Sequence, residues 1–382
     1  MRTKGKARKT LFASVLMTLA LTVSACGGGS APAAQPAPVP APAKTPDAPK
    51  PAETAKPAEA PKPAEKQKLV LYTGRDNSVT DVVMPKFKEK YPNIDVEIVL
   101  LGAQQILERV RAEKTNPQGD FWWGGTSAAL STAAEEGLLD TVKPAFGDKI
   151  PAQYKDAKDR WYGEMLLPEV IMYNTEAVKK EDAPKDWDDV IDPKYKNKII
   201  IRDVLPSGTM RTIYGAMIFR QSPTDFKKGY DWLLKLDANT KEYAADPTAM
   251  LLKLARQEGT IGLWNLQDVM FQKVNKKLPL DFVYPASGAP ILVDGVGVIK
   301  GAKNKDAAVK FYDFLFEPKL RAELAETLFQ IPTREDISKD TLPSWLKGLD
   351  LKPLPLDWNV MTAKDKEWME YWDQNIKGKG KK

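Results

Sequence analysis

From residue 68 onward, short apolar runs alternate with longer amphipathic stretches. The runs at 68–72, 94–101, 120–123, 169–174, 198–202, 260–264 and 291–299 have strand length, and 94–101 alternates apolar with polar positions. Between them, 79–91 spaces Val82, Val83 and Phe87 as one face of a helix, which Pro92-Asn93 stops. The same spacing predicts helices over 103–114 and 128–136, and amphipathic helices over 307–316 and 318–329. Strand, loop and helix in repeated order predict parallel βαβ units, whose ligands gather at the carboxyl ends of the strands. The expected fold class is α/β, with two α/β lobes in 68–382 joined by two crossing strands and a ligand cleft between them. Crossings are expected near 167–174 and 290–297, giving lobe 1 about 68–168 and 295–382 and lobe 2 about 169–294.

Before residue 68 the pattern is different. Lys4, Lys6, Arg8 and Lys9 precede an apolar run over 11–23, closed by Val23-Ser24-Ala25-Cys26. A spanning helix needs roughly 20 apolar residues, so 1–25 reads as an export signal. Its end resembles a lipobox, the processing site of bacterial lipoproteins. That resemblance implies that Cys26 is diacylated and holds the chain to the membrane outside the cytoplasm. Residues 27–67 contain eleven prolines and many alanines, too little to build a core. Lysines at 44, 50, 56 and 62 alternate with acids at 47, 53, 59 and 65, so in polyproline II the charges would alternate along one edge. Residues 26–67 are thus expected to form a disordered tether reaching on the order of 120 Å. The tail after Ile376, Lys-Gly-Lys-Gly-Lys-Lys, is likewise expected to be disordered and solvated.

Composition narrows the chemistry. The formal charge of +6 belongs to the first 67 residues, because 68–382 has equal numbers of acidic and basic side chains. A neutral domain offers no basic field to nucleic acid or anionic lipid. The chain has no histidine, which removes imidazole triads, His-ligated zinc and His general bases. With Cys26 acylated, no thiol remains for a disulfide. Asp188 and Asp189 are adjacent, so on a regular backbone their side chains diverge, and no spaced acid/base pair stands out. No catalytic residue, cofactor or metal is expected.

The candidate binding residues lie in loops that leave strands. Ser207-Gly208-Thr209 precedes a helix, where free N–H groups, the helix dipole and two hydroxyls suit an anion. Arg211 either adds charge there or points to solvent, and a plain Ser/Thr cap is the simpler reading. Gly125, Thr126 and Ser127, after Gly124, repeat the device in the first lobe, so two helix starts are expected to converge on one anion. Thr73 and Arg75 leave the first strand, and Arg75 either grips phosphate or carboxylate bidentately or is solvated. Trp122 and Trp123 alternate sides, so at most one faces the cleft. Glu169 either accepts hydrogen bonds from hydroxyl or ammonium groups or caps a turn. Asn265, Gln267 and Asp268 are placed to read polar groups, and Asp294 either fixes the hinge or touches ligand.

The segment Pro184-Lys-Asp-Trp187-Asp-Asp-Val-Ile-Asp192-Pro193, continuing to Lys198-Ile, is similar to one in extracellular solute-binding proteins of ABC importers. The ferric-iron-binding-like branch is the nearest, and it also takes in receptors for sugar phosphates, phosphonates and polyamines. Tyr72-Thr-Gly-Arg75, Asp120-Phe-Trp-Trp-Gly-Gly125, Ser207-Gly-Thr209 and Val293-Asp-Gly-Val-Gly-Val-Ile299 match its loops and return strand in order. The resemblance covers about 68–340. It implies the type II periplasmic-binding-protein fold, a small-molecule solute, permease and ATPase partners, a monomer, and no catalysis. Ferric relatives carry adjacent tyrosines where this chain reads Gly262-Leu-Trp-Asn265-Leu-Gln-Asp268. Fe³⁺ wants hard anionic oxygens. The expectation is therefore a phosphate- or carboxylate-bearing organic solute, with ferric iron or a polyamine as the alternative. A surface sensor or adhesin on the same fold is the reading from another class, with an enzyme behind it.

Overall fold

A computed structural model describes residues 66–75 and 77–381. The expected export signal, Cys26 and the tether up to residue 65 lie outside the described residues. The first lobe opens with β1 (Gln67–Thr73), α1 (Asn77–Lys90), β2 (Ile94–Leu100), α2 (Ala103–Ala112), β3 (Phe121–Thr126) and α3 (Ser127–Glu135). β1 pairs in parallel with both β2 and β3, as the βαβ order requires. Next comes β4 (Tyr162–Asn174), thirteen buried residues and seven longer at its start than the run at 169–174 suggests. Glu164 and Pro168 break the apolar pattern there, which hides the strand from a period-based reading.

β4 is the first crossing strand. Its residues up to Pro168 belong to the first sheet, and Glu169 to Tyr173 pair antiparallel with a strand of the second. The second lobe contains β5 (Ile199–Arg202), α4 (Gly208–Gln221), α5 (Lys227–Asn239), β6 (Thr240–Ala244), α6 (Pro247–Ala255), β7 (Ile261–Asn265), α7 (Leu266–Val274) and β8 (Leu280–Val283). The chain returns through β9 (Ile291–Val298), which pairs antiparallel with β3 and with the first half of β4. Then α8 (Lys305–Leu315), α9 (Pro318–Leu328), β10 (Ile331–Pro332), α10 (Ser344–Lys347) and α11 (Trp358–Asn375) complete the order. The first crossing falls where the sequence places it; the second is made by 284–290, just ahead of the expected 290–297, because β9 pairs only within the first sheet.

Each lobe has its own core. Phe87, Phe121, Trp123 and Phe311 anchor the first, with ring centroids 5.0 to 5.4 Å apart. Trp187 is fully enclosed in the second and donates its indole N–H to the Gly288 carbonyl at 2.9 Å. Its acidic neighbours diverge: Asp188 accepts from Arg220 and Trp232, while Asp189 accepts backbone N–H groups of Lys185 and Asp186.

The C-terminus corrects two expectations. Trp368, Met369 and Trp372 of α11 are buried in the second core, Trp372 edge-on to Tyr214 and Tyr243. The stretch 295–382 is therefore shared between lobes, because this apolar stripe completes the packing of α4. The tail is also held. Buried Asp237 accepts the N–H groups of Gly378 and Gly380 at 2.9 Å each, and Lys377 pairs with Asp203 at 3.0 Å.

The lobes touch through two glycines. A Cβ on Gly208 of α4 would lie 2.4 Å from Thr126 Cγ2, and one on Gly102 would lie 2.3 Å from the Pro206 carbonyl oxygen. Only glycine permits such an approach.

Candidate ligand-binding cleft

A cavity of about 480 Å³ lies between the lobes, within the usual range for a small-molecule site. Met165 and Leu167 of β4 with Leu292 and Asp294 of β9 form its floor. Its walls include residues from the first turns of α2, α4, α6 and α7, and Thr126, the cap of α3. Local sequence sets each start: Thr126, Ser207, Asp246 and Asn265 accept backbone N–H groups at 3.1, 3.2, 2.8 and 2.9 Å. Each helix end contributes partial positive charge worth about 0.3–1 kcal/mol to an anion.

Two arginines face this space in different states. Arg75 bonds Asp294 at 2.6 Å and Glu164 at 3.0 Å, and Glu164 also bonds Arg321 at 2.6 Å. Trp123 adds an indole N–H to Glu164 at 3.0 Å. Burial works against the Glu164 charge, yet Arg321 and Arg75 together hold its carboxyl below the usual range. Burial dominates at Asp294 and pushes its carboxyl up to about 6 despite Arg75. Arg202, at the end of β5, has no carboxylate within ion-pair distance among the described residues. Its guanidinium lies over Trp264, 5.8 Å from the ring, and donates only a 3.4 Å bond to Ser207. Its Nε is buried without a partner, and burial lowers its pKa against the more distant Asp246, Asp268 and Asp203.

The structure sorts the sequence candidates. Gly208, Thr209, Thr126, Asn265 and Asp294 line the cleft, and Gln267 and Asp268 join them. The starts of α3 and α4 do come together, through Thr126 and Gly208. Arg75 lines the cleft, but its charge is committed to two carboxylates. Thr73 is buried and accepts the Arg75 N–H at 3.0 Å, so it shapes the loop. Ser207 is fully buried as the α4 cap. Gly125 sits behind the wall, where a Cβ would lie 2.9 Å from Leu130 and Trp122, and Ser127 is off the lining. Trp122 and Trp123 are both core.

Arg211 is a correction. Its Nε lies 3.1 Å from each carboxylate oxygen of Asp365 on α11, facing a different cavity of about 520 Å³. Two residues past Thr209, at about 100° per residue, Arg211 lies roughly on the opposite face of α4 from that cleft residue. Glu169 is fully buried, and both its carboxylate oxygens lack partners. Burial pushes its carboxyl well above the ordinary range, and Asp268 and Asp294 add to the shift.

Sequence reasoning missed Arg202, the α6 start at Asp246 and the α2 start at Gly102. A cation ending an apolar strand just before Ser207-Gly208-Thr209 was the available signal for Arg202. Among the described residues, no group of three or more Asp, Glu, His or Cys side chains could hold a metal ion.

Two α/β lobes, two crossings and a polar cleft walled by helix starts define a type II binding protein. The family model for bacterial extracellular solute-binding proteins matches residues 125–355. The chain belongs to that family. It is 30% identical over 324 residues to an uncharacterized protein of Haemophilus influenzae, covering 82% of this chain and 91% of that one. A probable ABC transporter periplasmic-binding protein of Sinorhizobium fredii is 23% identical, with 74% of this chain and 80% of that one covered. Among solved structures, the periplasmic binding protein AfuA from Actinobacillus pleuropneumoniae, with exogenous fructose-6-phosphate bound, aligns at a TM-score of 0.72. It is 28% identical and covers 82% of this chain and 100% of that one.

Proposed function

We propose that this chain is a monomeric, lipid-anchored receptor that closes two lobes around a small anionic organic solute and passes it to the permease and ATPase of an ABC importer. The lipid sits on Cys26, and the proline-rich segment carries the lobes away from the membrane. Arg202 is the observation that carries the solute class: a cation inside the cleft, without a paired carboxylate among the described residues, amid helix starts that favour negative charge. A phosphate or carboxylate there would accept from the guanidinium and from nearby N–H groups, while Thr209 and Asn265 select among candidates. Similarity to a binding protein solved with fructose-6-phosphate supports a phosphate-bearing solute. Capture works by ligand contacts that favour the closed population, with no bond made or broken.

The test is thermal melting and calorimetry of the purified chain against sugar phosphates, phosphonates and organic carboxylates. A bound solute at 100 times its Kd raises stability by about 2.7 kcal/mol. Arg202→Gln should weaken binding by about 1.5–3 kcal/mol, ten- to a hundredfold. Wild-type affinity in that variant would remove the anion site. The acids around the cleft favour a polyamine as the second reading, so spermidine belongs in the same panel. Its binding, undiminished in Arg202→Gln, would replace the first reading.

A further inference from the structure

Glu169 is the unexplained polar group beneath the cleft floor, fully buried and off the cavity lining. It shares a face of β4 with Met165 and Leu167 of the cleft floor, and it stands directly opposite Asn265 of β7. The charges that face it are Asp268 from α7 and Asp294 from β9, both acidic. β7 contributes uncharged Asn265 and Trp264 beside it, and β8 places its Asp281 opposite Tyr173, four residues along β4. Neither cleft arginine relieves it: Arg75 is bonded to Asp294 and Glu164, and Arg202 donates to Ser207. A fully enclosed carboxylate with two acids nearby and no donor costs several kcal/mol to keep ionised.

The two protonation states recognise different solutes. A carboxylate only accepts and suits an ammonium group. A carboxylic acid donates one hydrogen bond and accepts another, which suits a hydroxyl. We propose that Glu169 serves the cleft as a neutral carboxylic acid and selects an uncharged hydroxyl on the solute over an ammonium group. The inference rests on the anionic-solute reading and narrows it to hydroxylated anions, with Gln267 Oε1, also buried without a partner, as a second acceptor.

The experiment has two arms. In the first, melting of ligand-free wild type and Glu169→Gln is compared from pH 5 to pH 9. The amide copies the neutral acid, so the variant should match wild type at the acid end and gain on it as pH rises. A difference independent of pH overturns the inference. In the second, affinities for fructose-6-phosphate and 2-aminoethylphosphonate are measured by calorimetry. Phosphate and Asp294 both titrate near pH 6, so the quantity read is the ratio of wild-type to variant affinity at each pH. That ratio should fall up to tenfold per pH unit once Glu169 ionises, and the hydroxylated ester should bind at least tenfold tighter than the amine. A flat ratio, or preference for the amine, overturns the inference. If neither probe binds, the first arm still decides the state of Glu169, and the Arg202→Gln panel separately decides the anion reading. Should Glu169→Gln fail to fold, wild-type melting from pH 7 to pH 9, above the Asp294 titration, decides the state: a loss of stability toward pH 9 supports the neutral acid, and none overturns it.

Discussion

Arg75 and Arg202 both follow an apolar strand and both border the cleft, yet their partners give them different work. Arg75 ties the β1 exit to the crossing strand β4 through Glu164 and to the return strand β9 through Asp294, so it braces the hinge side of the first lobe. Removing one member of a buried network leaves uncompensated charge, which costs about 3–5 kcal/mol. Arg75→Gln should therefore lower the melting temperature sharply. The loss should be smaller at pH 5 than at pH 8. Asp294 is already raised to about 6 beside Arg75, and without that cation its carboxyl rises further, so acid neutralises it in the variant. Equal losses at both pH values would show that Asp294 does not titrate in that window. No sequence pattern separates the two arginines, because what distinguishes them is Glu164, far along the chain on a strand whose start was not legible.

At the scale of elements, legibility followed periodicity. β1, β2, β5 and β7 lie within a residue or so of their apolar runs, and α2, α8 and α9 follow their amphipathic stripes. The starts of α3 and α4 were legible because Thr126 and Ser207 are capping residue types before helical spacing, whereas the helix that Asn265 caps was not read from the sequence. The first half of β4 was not, since a crossing strand carries the polar groups of the hinge, nor was α11, whose stripe is widely spaced aromatics in a charged background. Trp372 measures what that helix contributes. It is fully enclosed, Tyr214 and Tyr243 stand edge-on to it, and Lys377 lies 5.2 Å above its ring. Trp372→Ala should cost about 3–5 kcal/mol in denaturant unfolding. No residue of α11 lines the cleft, so solute affinity should stay within twofold of wild type where the variant is folded. A large loss of affinity in folded variant would mean that α11 acts on closure as well as on the second core.

For the whole molecule, function depends on how closely the lobes can approach, and at Gly208 and Gly102 that approach leaves no space for a side chain. Gly208 belongs to the second lobe and Thr126 to the first, and there is no room between them for a methyl group. Gly208 is the first residue of α4 and has no left-handed backbone requirement, so a larger side chain is compatible with the helix itself. Gly208→Val should therefore fold, keep both cores, and fail to bring the lobes together. A solute that gains its affinity by favouring the closed population loses that gain when closure is blocked, and the shift is bounded by its differential affinity for the two states. The expected result is a melting temperature near wild type without solute, at least a tenfold loss of affinity, and no solute-induced decrease in radius of gyration by X-ray scattering. Thr126→Ser tests the same contact from the other side, because it removes the Cγ2 that the added carbon would strike while keeping the hydroxyl that caps α3. Combined with Gly208→Ala it should recover part of the lost affinity. If Gly208→Val binds and compacts like wild type, the closed contact between α3 and α4 is not what captures the solute.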